Sequence, residues 1–554
     1  MTPSDTHSLP VGWSASGENK VLRLPLSTLY GHALVTGASG WGKSGFLLSQ
    51  VLAHQGRRER TNLFVVDPKG DLVPEIRDRF APALHASGAF ASPEKINVVA
   101  PFGAYMTPLN PLSRIEGLEP EVQANLAVEL LETLADGGLH ARMRTIASWV
   151  LRAVIELQGS LLDVHKILCD ETFRLSVAGR MSDPQVRTYL AEIFDSETTS
   201  SIAALRSRLE WLLLVPKVRA SLCAKGCVRM DELLESPLTL VDLSGAPQGF
   251  VGLSKFFGAM FMSLLVAGAL SRKVSESSSP VLCVVDEWQE LIRGSAFEFE
   301  RFLSLARFKK IGLWLANQTV EQVQSVSKSL LASVIQNVSI HVAFRPDPSD
   351  VKHLLALIPS TGRVVDPKFP DRLLSQADEK DRLIEVLQKL PKRHALLGDL
   401  VARRAHFIRT LAIPFAEAEA RAKTLSPEVI ERFRRGRVAV PYAEVIEKSR
   451  TNDTPRAQSG GVHQPRVDAG EKSPSGTALP KAMEPTAVNE LEAQSVEATN
   501  ETCDTVEPEP EPLPISEVEG PSIEVKATSK SKSPRKKSSP KASSRGRRKV
   551  VVLP

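Results

Sequence analysis

Cysteine is scarce in this chain: five residues in 554, Cys169, Cys223, Cys227, Cys283 and Cys503, spread along its length. That scatter excludes a small disulfide-stapled scaffold and fits free thiols in a reducing compartment. The one close pair, C-A-K-G-C, lacks the two further ligands a zinc site needs, and no histidine lies beside it in the sequence. The first residues, "MTPSDTHSLPVGWSASGENK", have neither the charged start nor the apolar centre of a signal peptide. Nor is there an apolar run of the ~20 residues that cross a bilayer. The longest run, "FFGAMFMSLLVAGAL" from Phe256 to Leu270, reads as a buried helix. A cytoplasmic protein with no membrane span of its own is expected, any recruitment to an inner membrane coming through a partner.

Strong net charge is also lacking, since 69 Lys and Arg against 64 Asp and Glu leave only +5. That balance conceals a polarised tail. From Thr451 onward the composition turns to Pro, Ser, Thr, Glu and Lys, with few aliphatic and no aromatic residues. Such a segment cannot offset its ordering entropy and reads as disordered. Residues 481–520 hold eleven Asp and Glu against Lys481, and 521–554 hold eleven Lys and Arg against Glu524, giving blocks of −10 and +10. The basic end alternates cations with Ser, Pro and Gly, which suits following a phosphate backbone without reading bases. Contact with DNA, pairing with the acidic block and a plain solvated tail all remain open for it.

What is present begins with "GASGWGKS", which fits G-x-x-x-x-G-K-[ST] through Gly37, Gly42, Lys43 and Ser44. Glycines let backbone N–H groups of Gly37, Ala38, Ser39, Gly40, Trp41 and Gly42 wrap an anion. The apolar "HALVT" before it and "GFLLSQVLA" after it predict the strand and helix that the motif requires. Lys43 would reach the β/γ-phosphates of ATP, and Ser44 would ligate Mg²⁺.

The order of elements predicts the fold. "HALVTG", "NLFVVDPKGDL", "TLVDLSG", "VLCVVDEWQEL", "GLWLANQT" and "VSIHVAFR" are short β-branched runs ending in polar turns, as buried parallel strands do. With helical patterns between them they indicate an α/β, doubly wound, RecA-like P-loop ATPase core. Between 116 and 235 apolar residues recur at three and four, predicting an all-helical insertion. The expected division is an N-terminal extension over 1–20, core over 21–115 and 236–415 flanking the insertion at 116–235, C-terminal helices over 416–450, and the tail over 451–554.

"VLCVVDEW" places Asp286 and Glu287 directly after a strand, where Asp286 can hold Mg²⁺ and Glu287 can deprotonate the attacking water. Gln318, in "WLANQT" at the next strand end, suits sensing the γ-phosphate or holding that water. Arg307, in "RFLSLARFKK", and Arg345, after "HVAF", are both candidates for an arginine finger.

Together "VTGASGWGKS", "FVVDPKGDL", "LNPLSRI", "VVDEWQEL", "LANQ" and "VAFRPDPSD" resemble the FtsK/HerA superfamily of DNA-pumping ATPases, and within it the TraG/TraD-type coupling proteins of conjugation and type IV secretion. The "DPKGD" stretch, Asp67 to Asp71, carries most of the discrimination, and the similarity spans about residues 20 to 415. The resemblance implies that Lys43 and Ser44 bind nucleotide and Mg²⁺, that Asp286 and Glu287 form Walker B, that Gln318 is the motif III sensor, and that Arg307 lies on the helix of a trans-acting finger. It also implies a homo-hexamer with ATP between subunits and DNA in the channel, a relaxase partner, and a membrane-anchored secretion subunit, because coupling proteins begin with transmembrane helices that this sequence does not show. Three alternatives share much of the pattern: a secretion ATPase handling protein or pilus subunits, a HerA-like DNA-processing translocase, and a non-motor nucleotide-binding recruitment scaffold.

Overall fold

Successive strand residues point to opposite faces of a sheet, so one continuous apolar run can feed two cores. Leu34, Phe64, Val66, Cys283 and Val285 enter one core, whereas Ala33, Val35, Leu63, Val65 and Val284 enter the other. The structure, a computed structural model, describes residues 8–444 except 16–19, 56–60, 89–91, 135–137, 225–226, 249, 293–295, 348–349, 351–352, 355–364 and 367–368. The tail predicted to be disordered, with its acidic block at 481–520 and basic block at 521–554, lies outside the described residues.

The main sheet has eleven strands: β1 (Ser8–Ser14), β2 (Val21–Pro25), β3 (His32–Thr36), β4 (Asn62–Asp67), β5 (Ile96–Val99), β6 (Leu238–Asp242), β7 (Val281–Val285), β8 (Ile311–Asn317), β9 (Val338–Phe344), β10 (His394–Asp399) and β11 (Arg404–Arg409). Their order across the sheet is β2, β1, β11, β10, β9, β3, β8, β7, β4, β6, β5. From β9 to β5 every pairing is parallel, and from β9 to β2 every pairing is antiparallel. The parallel part contains the six strands read from the sequence and adds β5.

One face of the sheet is covered by the nucleotide-loop helix Lys43–Gln55 and residues 72–83, through Phe46, Val51, Ile76 and Phe80. The other face packs against the helical block, through residues such as Ile146, Leu209 and Phe257. Between Met106 and Leu238 every described element is helical, including Pro120–Glu132, Ala141–Glu156, Leu161–Cys169 and Thr199–Leu214. The apolar run near residue 260 is the helix Val251–Ser271. It is long and apolar enough to cross a membrane, but 78% of its apolar window is buried inside the protein. Phe256, Phe257, Met260 and Leu265 are fully buried there.

Two features depart from the sequence reading. The extension over 1–20 contributes β1, which pairs with β11 and β2. Pro10 and Gly12 punctuate that strand, so it does not read as one locally. The β10–β11 hairpin, at the end of the second core segment, supplies the antiparallel link between β1 and the parallel strands.

Candidate active site

All seven parallel strands run the same way, so their C-terminal ends form one edge, where α/β folds collect ligands. Gly37, Gly40 and Gly42 follow β3 with φ of +145°, +79° and +115°, in the region that favours glycine. A Cβ on Gly37 would lie 2.6 Å from the Phe344 Cβ, so the loop can run against the end of β9 only with glycine there. The Ala38 N–H donates to Arg345 O at 3.1 Å, tying the loop to the same strand end. Lys43 opens the helix Lys43–Gln55 and is nearly buried. Its Nζ donates to Gly37 O at 2.7 Å and to Ala38 O at 3.4 Å, which holds the ammonium inside the loop. Burial pushes the Lys43 pKa down, against the pull of Glu287 and Asp286 and with a small push from Lys69.

Asp286 and Glu287 follow β7. The Ser44 Oγ donates to Asp286 Oδ2 at 3.4 Å. A hydroxyl and a carboxylate are the hard oxygen donors Mg²⁺ takes, and two protein ligands are a usual complement when phosphate oxygens and water complete its shell. These residues therefore fit Mg²⁺. Among the described residues no cluster of three His, Cys, Asp or Glu competes as a metal site. Burial raises the Asp286 pKa to about 6, helped by the Glu287 and Asp67 carboxylates and opposed by Lys43.

Glu287 adopts φ 45° and ψ 41°, a left-handed conformation that costs a non-glycine residue roughly 1–2 kcal/mol. Such strain persists where surrounding contacts over-determine it. Here the Glu287 N–H donates to Asp286 Oδ1 at 3.0 Å. The carboxylate accepts from Lys69 Nζ at 2.7 Å and Gln318 Nε2 at 3.0 Å on Oε1, and from Gln289 Nε2 at 2.8 Å on Oε2. Burial alone would raise its pKa, but these three hydrogen bonds and the Lys69 charge outweigh it and hold the group below its ordinary value.

Lys69 reaches Glu287 because the "DPKGD" turn is folded around one side chain. The fully buried Asp67 accepts from the N–H groups of Lys69 and Gly70 on Oδ1, at 3.1 and 2.9 Å, and from those of Leu72 and Val73 on Oδ2, at 2.7 and 2.8 Å. Gly70 has φ +83°, and a Cβ there would lie 2.8 Å from Ser244 Oγ, so the turn is braced against the residues that follow β6.

The two candidate fingers occupy opposite edges of the sheet. Arg345 stays at the phosphate loop, its guanidinium carbon 4.7 Å from the centre of the Trp41 ring. Arg307 lies just before β8, at the N-terminal edge, where it donates to Asn337 O and, at 3.0 Å, to Ser339 Oγ at the start of β9. Within one subunit Arg307 is therefore not brought to the phosphate loop. The sequence reading puts it on the helix, whereas it opens the 3-10 turn Arg307–Lys309 just past the helix Ala296–Ala306, and the following strand carries the chain away from it to the functional edge.

The structure thus brings Gly37 to Ser44, Asp286, Glu287, Gln318 and Arg345 together. It also adds residues to which the sequence assigns no role. Lys69 stands inside a motif that the sequence singles out, and Gln289 lies two residues from Glu287. Arg393 has no sequence signal: its N–H donates to Trp41 O at 3.0 Å from the start of β10, and its Cα faces Gly42.

No protein-family model and no curated protein matches the chain. Among solved structures it is similar to the plasmid coupling protein TrwB in complex with ADP and Mg²⁺, at 14% identity and a TM-score of 0.51, over 75% of this chain and 92% of that one. It is similar to TrwB in complex with a non-hydrolysable ATP analogue at 14% identity and a TM-score of 0.51, over 74% and 92% of the two chains. An unbound form of the same bacterial conjugative coupling protein gives 14% identity and a TM-score of 0.51, over 74% and 91%. At this identity the likeness is one of architecture: the chain has the P-loop ATPase fold that TrwB has.

Proposed function

We propose that the chain is an ATP-hydrolysing motor that moves DNA, acting in conjugative transfer through a type IV secretion apparatus. The observation that carries the hydrolytic part is the meeting of Ser44 with Asp286 at 3.4 Å and of Gln318 with Glu287 at 3.0 Å, beside a glycine loop that encloses Lys43. The choice of DNA as cargo rests on the "DPKGD" and "VAFRPDPSD" resemblance, and on a fold like that of a plasmid coupling protein.

In this reading the loop amides from Gly37 to Ser44 and the Lys43 ammonium bind the β/γ-phosphates of ATP. Ser44 and Asp286 would hold Mg²⁺, which neutralises charge developing on the phosphates. Glu287 orients the attacking water and takes its proton, and Gln318, already bonded to Glu287, holds that water in line. Arg345 is the candidate arginine nearest the loop; Arg307 could contribute only to a neighbouring subunit. The working unit is a homo-hexameric ring with DNA in its channel and the basic tail on the DNA backbone. A relaxase and a membrane-anchored secretion subunit are the partners such a motor needs.

The test is the hydrolysis rate of the full chain alone, with single-stranded DNA and with double-stranded DNA, using Lys43→Ala as reference. Turnover that rises with DNA and vanishes in the variant is expected. Turnover indifferent to either DNA would transfer the assignment to a secretion ATPase for protein cargo, and no turnover at all would leave a nucleotide-binding scaffold.

A further inference from the structure

The Glu287 Oε1 atom accepts two hydrogen bonds, from Lys69 Nζ at 2.7 Å and Gln318 Nε2 at 3.0 Å. A carboxylate oxygen offers two lone-pair directions, so Oε1 is filled. A water that is to lose its proton to this atom must displace one of the donors. Gln289, on Oε2, is buried, and its Nε2 also approaches Gln322 Oε1 at 3.3 Å. Lys69 differs from both amides. It is the cation of the three, and its side chain is 43% exposed while that of Glu287 is 5% exposed. It also arrives from β4, the neighbouring strand, on a turn whose backbone is pinned by four hydrogen bonds to Asp67.

We infer that Lys69 is a positioning residue that restrains hydrolysis, occupying Glu287 Oε1 so that the attacking water reaches this oxygen of the base only when the lysine withdraws. The inference rests on the hydrolytic reading of this site. Lys69 is the donor that can leave. Its long side chain has solvent to move into, whereas Gln318 and Gln289 keep the carboxylate oriented after it goes. The exchange is one donor for another: the water O–H replaces the ammonium N–H at Oε1, and no covalent bond changes until the proton moves.

Steady-state hydrolysis by the full chain with Mg²⁺ and varied ATP tests this, comparing wild type with Lys69→Ala, Lys69→Gln and Lys69→Arg, and with Glu287→Gln as the inactive reference. The alanine and glutamine variants should raise basal kcat roughly threefold to tenfold, small beside the roughly 10²- to 10⁴-fold that a positioned base contributes. Their KM for ATP should stay within about twofold, because Lys69 is not assigned to nucleotide. The arginine variant should return kcat to the wild-type value, since its guanidinium can refill Oε1. An unchanged or lower kcat in folded alanine and glutamine variants overturns the restraint, as does failure of both to fold, which would make the lysine a structural prop. If wild type hydrolyses ATP, Glu287→Gln does not, and the Lys69 variants are no faster, only the restraint falls. If wild type does not hydrolyse ATP, the reading beneath it falls as well.

Discussion

Ser44 Oγ lies 3.4 Å from Asp286 Oδ2, joining the phosphate loop to the end of β7 across 242 positions of sequence. If the pair holds Mg²⁺, Ser44→Ala should raise the Mg²⁺ concentration for half-maximal turnover by at least roughly tenfold, since even groups one step removed from a metal are worth that much. Chelating the metal should stop turnover in wild type. The measurement is hydrolysis against Mg²⁺ at fixed ATP, and superimposable curves for the two proteins would remove Ser44 from the site.

Glu287→Gln keeps the loop and the Ser44–Asp286 pair intact and removes only the acceptor for the water's proton. Turnover should fall by roughly 10²-fold or more while ATP affinity is retained. Single-turnover hydrolysis with a separate binding titration distinguishes the two effects. Wild-type turnover in this variant would place the base elsewhere.

Arg345 and Arg307 should behave differently when replaced. Arg345→Ala is expected to lower kcat by roughly 10²-fold, the usual loss for one donor aimed at developing charge. Arg307→Ala, which loses the bonds to Asn337 and Ser339, should instead cost about 1 kcal/mol of stability, read in a denaturant melt. Arg307→Ala alone should keep turnover near wild type, so a loss that mixing with Lys43→Ala subunits restores is not expected. Recovery would mean that Arg307 reaches a neighbour's nucleotide.

The pH dependence of stability should reflect His32. Its ring is fully buried, with Nδ1 accepting from the Leu313 N–H at 3.1 Å and Nε2 donating to Leu303 O at 2.8 Å. Burial lowers its pKa from 6.5 to about 4, opposed by the bond to Leu303 and assisted by Arg307. A histidine lowered in this way binds its proton less readily when folded, so its contribution is present above pH 6.5 and is lost as pH falls towards 4. Denaturant midpoints at pH 7 and pH 5 should drop less in His32→Gln than in wild type. Equal drops would show that this ring does not titrate on unfolding.

Deleting residues 521–554 removes eleven cations. If half or more of them contact phosphates, the slope of log affinity for DNA against log salt should flatten by roughly 4 to 8. Removing 481–520 alone should tighten binding, because the acidic block would no longer compete for the basic one. An unaltered slope after the first deletion would leave the folded core as the DNA-binding surface.

Local features of the sequence were enough to read the phosphate loop, the strand ends bearing Asp286, Glu287 and Gln318, and the helical block, because each is written within a dozen or so neighbouring residues. Buried parallel strands are continuous apolar runs and helices are periodic, so six of the seven parallel strands could be read from pattern alone. β1 could not, because its Pro10 and Gly12 read as a turn and only pairing with β2 and β11 makes it a strand.

Tertiary structure decided what depends on strands adjacent in space but distant in the chain. Lys69 and Glu287 are 218 residues apart, and no periodicity within either segment could show that β4 lies beside β7 and delivers an ammonium to that carboxylate. The same holds for Arg393 against Trp41, and for Arg307 and Arg345, which look equivalent as arginines near strands. A strand has two ends, and parallel packing sends one of these arginines to the edge away from the phosphate loop and the other to the edge that holds it.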